Sequence, residues 1–403
     1  MKMTIAQVMI LCYNVFMIIL VSLCSIGAEK ILSNEIKLLG YKPLSNSPGR
    51  VRFECPEEGL FRSNLCLRTA DRVYLQLASF RADNFDDLFD GVYAIQWQDY
   101  YKKDVRVHLD KVRTFRSKLN SEHSIQKIAH KAICQKLGFV WGMNVLPETG
   151  EKSDVRIYIE KDEVSVLLDL SGKPLNRRGY RMDGGIAPIR ETLAATLLHS
   201  MLWRRKTPLH DAFCGSGTIL CEAMLYAHNV APGFGRRFDL ENLLIYNHKQ
   251  ATEIKMKEAA KIRTDVITRI TGSDIDSQAV DWARENIERA CVTAGRALQM
   301  IGSDNRVPRP EVDVADFREL SAPYETGLIL SNPPYGERIG TEEEINMLYK
   351  DMSDLIKSFP GWDMGFITAD QEFESKFGKK AIEKKKLKSG ILDTTLFTYS
   401  NKL

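Results

Sequence analysis

The sequence predicts an α/β chain in which a doubly wound C-terminal sheet follows an α+β N-terminal half. Three stretches carry that prediction. Thr207 to Thr218 reads as a strand that breaks into small residues and then enters a helix. The apolar run Gly327-Leu328-Ile329-Leu330 stops abruptly at Ser331-Asn332-Pro333-Pro334-Tyr335-Gly336, as a buried strand must when two prolines deny it ladder donors. Ile270 to Asp276 is a third strand, acidic at its end and followed by a helical pattern from Ser277 to Ala290. At 403 residues there is room for two or three domains, each burying its own core.

Composition narrows the class. Apolar and charged fractions of 44% and 27% are those of an ordinary globular protein. A net charge of +3 means that any nucleic-acid affinity must come from local patches. The eight cysteines (Cys12, Cys24, Cys55, Cys66, Cys134, Cys214, Cys221 and Cys291) form no Cys-x-x-Cys pair. That favours reduced thiols in a cytoplasmic protein over disulfides or zinc, and no metal is expected. Cys214 as a nucleophile would have only His210 near it in sequence.

The elements follow in order. Met1 to Ile26 mimics a secretory signal, but Val15 to Ser22 also reads as a buried strand leading into an amphipathic helix at Ala28 to Leu39, and the strand is preferred. Residues 1–14 fit neither reading and are set aside as an uncertain tail. Val51 to Cys55 alternates as a strand. A helix-like run follows Asn64, then a strand at Val73 to Ala78 and a short helix at Asp86 to Ala94. From Tyr100 to Lys131 positive charge gathers, with a strand at Val105 to Leu109 and a basic-faced helix over Ser124 to Ile133. Val155 to Glu160 and Glu163 to Asp169 form a hairpin turning at Lys161-Asp162. A basic helix on a small mixed sheet suits a sugar-phosphate backbone, although a solvated charged face would look the same.

The C-terminal half supplies the chemistry. Gly215 and Gly217 allow close backbone approach, and the helix after them offers free N–H groups. The turn is neither a phosphate loop nor the three-glycine dinucleotide fingerprint. Asp274 is the first choice for a ribose contact, with Asp276 beside it; either could instead cap the next helix. Val312 to Phe317 is another strand. Thr293 to Pro310 reads as a long surface loop without assignable role. Pro232 to Phe238 is a loop whose arginines, Arg236 and Arg237, meet a phosphate or solvent. A helix is expected over His248 to Ile267 and another up to Lys357, then a strand at Met364 to Thr368. Lys376 to Lys388 holds seven lysines and one glutamate, a solvated edge or a contact, and Asp393 to Tyr399 closes the chain as a strand. At Asn332-Pro333 an amide oxygen and a backbone carbonyl aimed at one point accept both hydrogens of an exocyclic amine. Tyr335 offers a stacking face worth roughly 1–3 kcal/mol per base.

Asp211 with Cys214-Gly215-Ser216-Gly217-Thr218, followed by Asn332-Pro333-Pro334-Tyr335, resembles the class I S-adenosylmethionine-dependent methyltransferases that modify exocyclic amines of nucleobases. Ser117 to Ser121 before the basic helix, and the hairpin ending at Leu168-Asp169-Leu170-Ser171-Gly172, look like the THUMP RNA-binding module. Arg178-Gly179-Tyr180-Arg181 and Gly185 to Ala195 are similar to the entry of THUMP-bearing guanine-N2 methyltransferases of the 23S rRNA type. The chain departs from the pattern at Ala212, where a proline is usual, at His210, where an aliphatic residue is usual, and in the 293–310 loop.

The resemblance implies a seven-stranded Rossmann-like methyltransferase sheet over 171–403, behind a ferredoxin-like part at 15–65 and a THUMP domain at 66–170. It implies S-adenosylmethionine held by Asp211, Phe213, Cys214, Gly215, Gly217, Thr218, Asp274, Ile275, Asp276, Asp316 and Phe317, with Pro188, Glu191 and Thr192 over its carboxylate end. Asn332, Pro333 and Tyr335 would hold the target amine, while Lys118, Lys127, Lys131, Arg178 and Arg181 would meet RNA. The implied reaction is methyl transfer to guanosine N2 in large-subunit rRNA. A tRNA substrate, DNA adenine methylation and a non-catalytic RNA-binding or ribosome-assembly protein are the alternatives. No membrane partner is expected.

Overall fold

The computed structural model describes residues 17–181, 189–335, 341–389 and 392–400. Two seven-stranded sheets organise them. The first is built from β1 (Met17–Leu23), β2 (Lys42–Ser47), β3 (Arg50–Pro56), β4 (Arg72–Arg81), β5 (Arg106–Phe115), β6 (Lys152–Glu160) and β7 (Glu163–Asp169). Their spatial order is β2-β3-β1-β4-β7-β6-β5, so the segments 17–65 and 66–170 share one continuous sheet. Helices α1 (Glu29–Leu38), α2 (Gly59–Cys66), α3 (Phe85–Tyr93) and α4 (Glu122–Trp141) accompany it.

The apolar run near the N-terminus is β1, paired antiparallel on both sides with β3 and β4. Among the described residues no helix is long and apolar enough to cross a membrane. In β3, alternate residues are buried, so Val51, Phe53 and Cys55 face the core. The β6–β7 turn holds Lys161 and Asp162 at φ +54° and +66°, the paired positive angles that a two-residue hairpin requires. Strand β2 was not expected. Its sequence Lys-Pro-Leu-Ser-Asn-Ser is largely exposed, and it exists because β3 offers it an edge. Helix α2 starts at Gly59 and ends at Cys66, so Asn64 lies inside the helix instead of ahead of it.

The second sheet contains β8 (Leu209–Asp211), β9 (Ile270–Asp274), β10 (Glu311–Val314), β11 (Gly327–Ser331), β12 (Trp362–Thr368), β13 (Glu383–Ser389) and β14 (Leu392–Ser400). Its order is β10-β9-β8-β11-β12-β14-β13. Strands β8 to β12 run parallel, and β14 lies antiparallel between β12 and β13. The helices are α5 (Glu191–Ser200), α6 (Thr218–Ala227), α7 (His248–Ala259), α8 (Ser277–Gln299), α9 (Glu342–Met352), α10 (Leu355–Ser358) and α11 (Phe373–Phe377). Strand β11 is buried at all five positions, as a parallel strand covered on both faces should be.

Other helix boundaries also differ from the sequence expectation: α4 continues past Ile133 to Trp141, and the helix expected up to Lys357 breaks after Met352 into α9 and α10. Helix α7 stops at Ala259, short of Ile267. Helix α8 continues to Gln299, so the first part of the expected 293–310 loop is helical. Its inner face there is Ala290, Ala294, Ala297 and Leu298, small residues that give little visible periodicity. The lysine-rich segment ends in β13, at the edge of the sheet.

Candidate active site

The parallel strands deliver their ends to one edge, and the residues at and just beyond those ends build the site. Strand β8 finishes at Asp211, which is 2% exposed. Its carboxylate accepts from the N–H of Phe213 at 3.2 Å. The neighbouring β11 ends at Ser331, whose Oγ accepts from Ala212 N–H at 2.9 Å. Burial pushes the Asp211 carboxyl up to about 7, and the Asp274 charge adds to this; the Ser331 hydroxyl and the Phe213 N–H oppose it.

The glycine turn is strapped from both sides. Cys214 N–H reaches Ser273 O at 2.9 Å, and Gly217 N–H reaches Cys214 O at 2.8 Å. Gly215 and Gly217 take φ +49° and +76°, values that favour glycine. A Cβ on Gly215 would meet no protein atom within 4 Å, whereas one on Gly217 would come 3.0 Å from Ala283 Cβ. Gly215 thus faces open space and Gly217 faces α8. The buried Asn286 of α8 donates to Ser216 O at 2.9 Å.

Asp274, at the end of β9, accepts from Gly215 N–H at 2.8 Å and from Asp276 N–H at 3.1 Å. One carboxylate therefore ties the second strand to the turn of the first. Asp276 caps α8 through Gln278 N–H at 2.9 Å. Beyond β10, Asp316 accepts from Arg318 N–H and pairs with its guanidinium, both at 2.9 Å. The rings of Phe213 and Phe317 lie 5.0 Å apart.

A cleft of about 440 Å³ is lined by Asp211, Phe213, Cys214, Gly215, Thr218, Asp274, Ile275, Asp276, Asp316, Phe317, Asn332 and Pro334, with Ile189, Trp282 and Leu348 among its apolar walls. The Asn332 amide and the carboxylates of Asp211, Asp274 and Asp316 thus share one cavity. Pro333 is buried, and Tyr335 follows half-buried. The Pro334 carbonyl accepts from Tyr349 Oη at 3.1 Å. That tyrosine is fully buried and its hydroxyl also meets Thr368 Oγ1 at 3.3 Å. Sequence reading missed Tyr349 as the prop under this loop; the only signal was its place on the Ile345–Tyr349–Met352 stripe of α9.

Other expected residues fall elsewhere. Pro188 lies outside the described residues. Glu191 and Thr192 are buried at the start of α5 and are absent from the cleft wall. Thr192 donates to Asp71 at 2.6 Å, and Glu191 pairs with Arg181 at 3.5 Å. Arg178 is not a surface cation. It is 3% exposed and faces the fully buried Glu222 carboxylate at 3.3 Å, which Tyr180 Oη also reaches at 3.1 Å. Arg181 is turned inward too, donating to Ile189 O at 2.9 Å and to Thr218 Oγ1. An arginine-rich entry segment looks basic in sequence, yet its guanidinium groups are spent on interior acceptors. Arg236 likewise donates to Ser171 O at 3.0 Å and Arg177 O at 3.2 Å. Lys118, Lys127 and Lys131 are exposed; Lys118 pairs with Asp83 at 3.0 Å, and Lys131 lies 5.9 Å over the Phe89 ring.

The Cys214 thiol is buried, and burial, Asp211 and Asp274 push its pKa far up, against the thiolate that a nucleophile needs. His210 gives it no base: its ring nitrogens meet Thr271 Oγ1 at 2.8 Å and Ser273 Oγ at 3.2 Å. Burial lowers that histidine to about 4. The unexpected histidine bridges two hydroxyls of β9.

The strand order, the glycine turn and the acidic strand end together define a class I methyltransferase. The chain belongs to the RMKL-like methyltransferase family: residues 178–398 match its methyltransferase domain, and residues 20–74 match the RlmL ferredoxin-like domain. It is 35% identical to "Putative RNA methyltransferase YpsC" of Bacillus subtilis, over 95% of this chain and 96% of that one. It is 31% identical to the ribosomal RNA large subunit methyltransferase K/L of Photobacterium profundum, over 94% of this chain but 52% of the relative, so it spans about half that protein's length. Among solved structures, SMU.472, described as a putative methyltransferase complexed with SAH, superposes with a TM-score of 0.83 at 32% identity, covering 96% of this chain and 99% of that one. A protein from Listeria monocytogenes described as a predicted N6-adenine-specific DNA methylase gives 0.84 at 32% identity, covering 99% and 98%.

Proposed function

We propose that this chain transfers a methyl group from S-adenosylmethionine to the exocyclic N2 amine of a guanosine in large-subunit (23S) rRNA. The observation that carries this reading is the single cleft shared by the Asn332 amide, the Gly215 turn and the carboxylates of Asp211, Asp274 and Asp316. The donor set fits the cofactor. Gly215 leaves open space where a ligand would approach the backbone, and Asp274 keeps unused lone pairs for ribose hydroxyls while it holds the turn. When bound, S-adenosylmethionine supplies an electrophilic methyl on a positively charged sulfur.

The chain's own residues supply position. Asn332 Oδ1 and the Pro333 carbonyl accept the two amine hydrogens and turn the nitrogen lone pair toward the methyl. Tyr349 fixes the loop that carries them. Holding reactants in line is worth up to about 7–11 kcal/mol in well-oriented systems. The proton can leave after transfer, so no strong base is required. The base must be unpaired or extruded to enter.

The N-terminal sheet, comprising the ferredoxin-like part at 15–65 and the THUMP module at 66–170, grips RNA through Lys118, Lys127 and Lys131. Reduced thiols fit action in the cytoplasm. RNA is favoured by the names of YpsC and the K/L enzyme. The Listeria protein's description keeps adenine N6 in DNA as the rival, since Asn-Pro-Pro-Tyr would hold either amine.

The test is incubation with methyl-labelled cofactor and separate pools of rRNA, tRNA and DNA, followed by nucleoside analysis. N2-methylguanosine in large-subunit rRNA is the expected product. Label in tRNA would move the substrate, N6-methyladenine in DNA would replace the reading, and RNA binding without label would make the chain a binding protein.

A further inference from the structure

Away from the cleft, the middle of α4 carries a cluster that methyl transfer does not use. His130 and Cys134 stand four residues apart, on one face of the helix. After Trp141 the chain reverses: Gly142 takes φ +67° at the helix C-cap, and Met143 N–H returns to Gly138 O at 2.8 Å. The returning segment brings Glu148 back to the same face. Glu148 itself sits at φ +50°, a left-handed conformation that non-glycine residues rarely adopt. One ligand atom each from His130, Cys134 and Glu148 lies within 4.8 Å of the others. Cys134 Sγ is 3.7 Å from His130 Nδ1 and 3.8 Å from Nε2. For zinc bonds of about 2.3 Å to sulfur and 2.0 Å to nitrogen, tetrahedral geometry puts the two donors about 3.5 Å apart. Cys134 and Glu148 also line an open surface groove beside Leu146 and the exposed side chains of Phe139 and Val145.

We propose that His130, Cys134 and Glu148 form a binding site for a zinc-class divalent cation, with the fourth position open to water or a further ligand. Imidazole, thiolate and carboxylate are the donors that this ion takes, and the two anionic ligands balance its charge. The bound ion would clip the 142–148 segment onto α4, beside the basic helix face. The sequence signal is His-x-x-x-Cys at helical spacing, invisible to a search for Cys-x-x-Cys.

The probe is Co²⁺, added to the metal-stripped full-length chain. A thiolate-to-cobalt charge-transfer band in the near ultraviolet should saturate at one ion per chain and disappear on Zn²⁺ addition. Cys134→Ser should abolish the band, and Glu148→Gln should weaken binding at least 10-fold. His130→Ala should do the same, with the thermal melt of each stripped variant matching the stripped wild type. Absence of stoichiometric binding, or a band that survives in Cys134→Ser, overturns the site. Neither result touches methyl transfer.

Discussion

The two seven-stranded sheets differ in strand direction, and that difference decides where chemistry gathers. In the N-terminal sheet most neighbours are antiparallel, so consecutive strand ends emerge at opposite edges. Polar residues there are spread over a face. Arg50 lies 4.7 Å from the Tyr158 ring, and Arg156 lies 5.0 Å from Tyr74. In the C-terminal sheet β8, β9, β10 and β11 are parallel. Asp211, Asp274, Asp316 and Asn332 all sit at or just past carboxyl ends and therefore meet at one edge, the general location of ligands in such sheets. Parallel topology concentrates functional groups; antiparallel topology distributes them.

Asn332→Ala should give the largest effect on turnover. Loss of one oriented polar contact of this kind costs about 10²–10³ in kcat. Single-turnover methyl transfer should fall by that factor while cofactor affinity stays within about twofold. Retained activity would mean that the amide faces the cleft without touching the reacting amine.

Next comes the buried pair of Glu222 and Arg178, whose guanidinium also donates to Arg68 O in the N-terminal half. Glu222→Ala leaves Arg178 buried without its carboxylate, and breaking a buried pair by removing one partner costs about 3–5 kcal/mol. A lowered thermal midpoint, not reversed by saturating cofactor, is expected. An unchanged midpoint would show that Arg178 relaxes to solvent.

A smaller effect lies in pH. The Asp211 carboxyl titrates near 3.8 ordinarily and near 7 when folded. Between those values the folded chain holds one more proton than the unfolded chain, so stability from this group is complete below 3.8 and declines as pH rises toward 7. Asp211→Asn should remove that decline, its advantage over wild type growing across the window to at most roughly 4 kcal/mol. Denaturant midpoints from pH 4 to 8 test it; a constant difference contradicts the assignment. Smallest of all, Lys127→Ala and Lys131→Ala should each reduce the slope of log affinity for RNA against log salt by about 1 at most. No change would place RNA on another face.

Much of this was legible in the sequence where local chemistry dictates structure. The Asn-Pro-Pro stop, the two-glycine turn and the acidic end of β9 are each fixed by backbone constraints that a few residues express. The features that escaped depend on partners distant in the chain. Strand β2 has no apolar pattern and exists through its pairing with β3. Arg178 looks like a surface cation until Glu222, 44 residues away, takes it inside. Tyr349 reads as core until its hydroxyl is seen under Pro334. The continuation of α8 was hidden because alanines bury without announcing a stripe.

The central claim is that the Gly215 turn and the Asp274 carboxylate hold the cofactor, while Asn332 serves the base. Calorimetric titration of S-adenosylmethionine into wild type, Asp274→Ala and Asn332→Ala tests it directly. The account predicts one site per chain, an affinity at least 10-fold weaker in Asp274→Ala, and near-wild-type affinity in Asn332→Ala. Equal affinity in wild type and Asp274→Ala, or no binding to wild type, would contradict it.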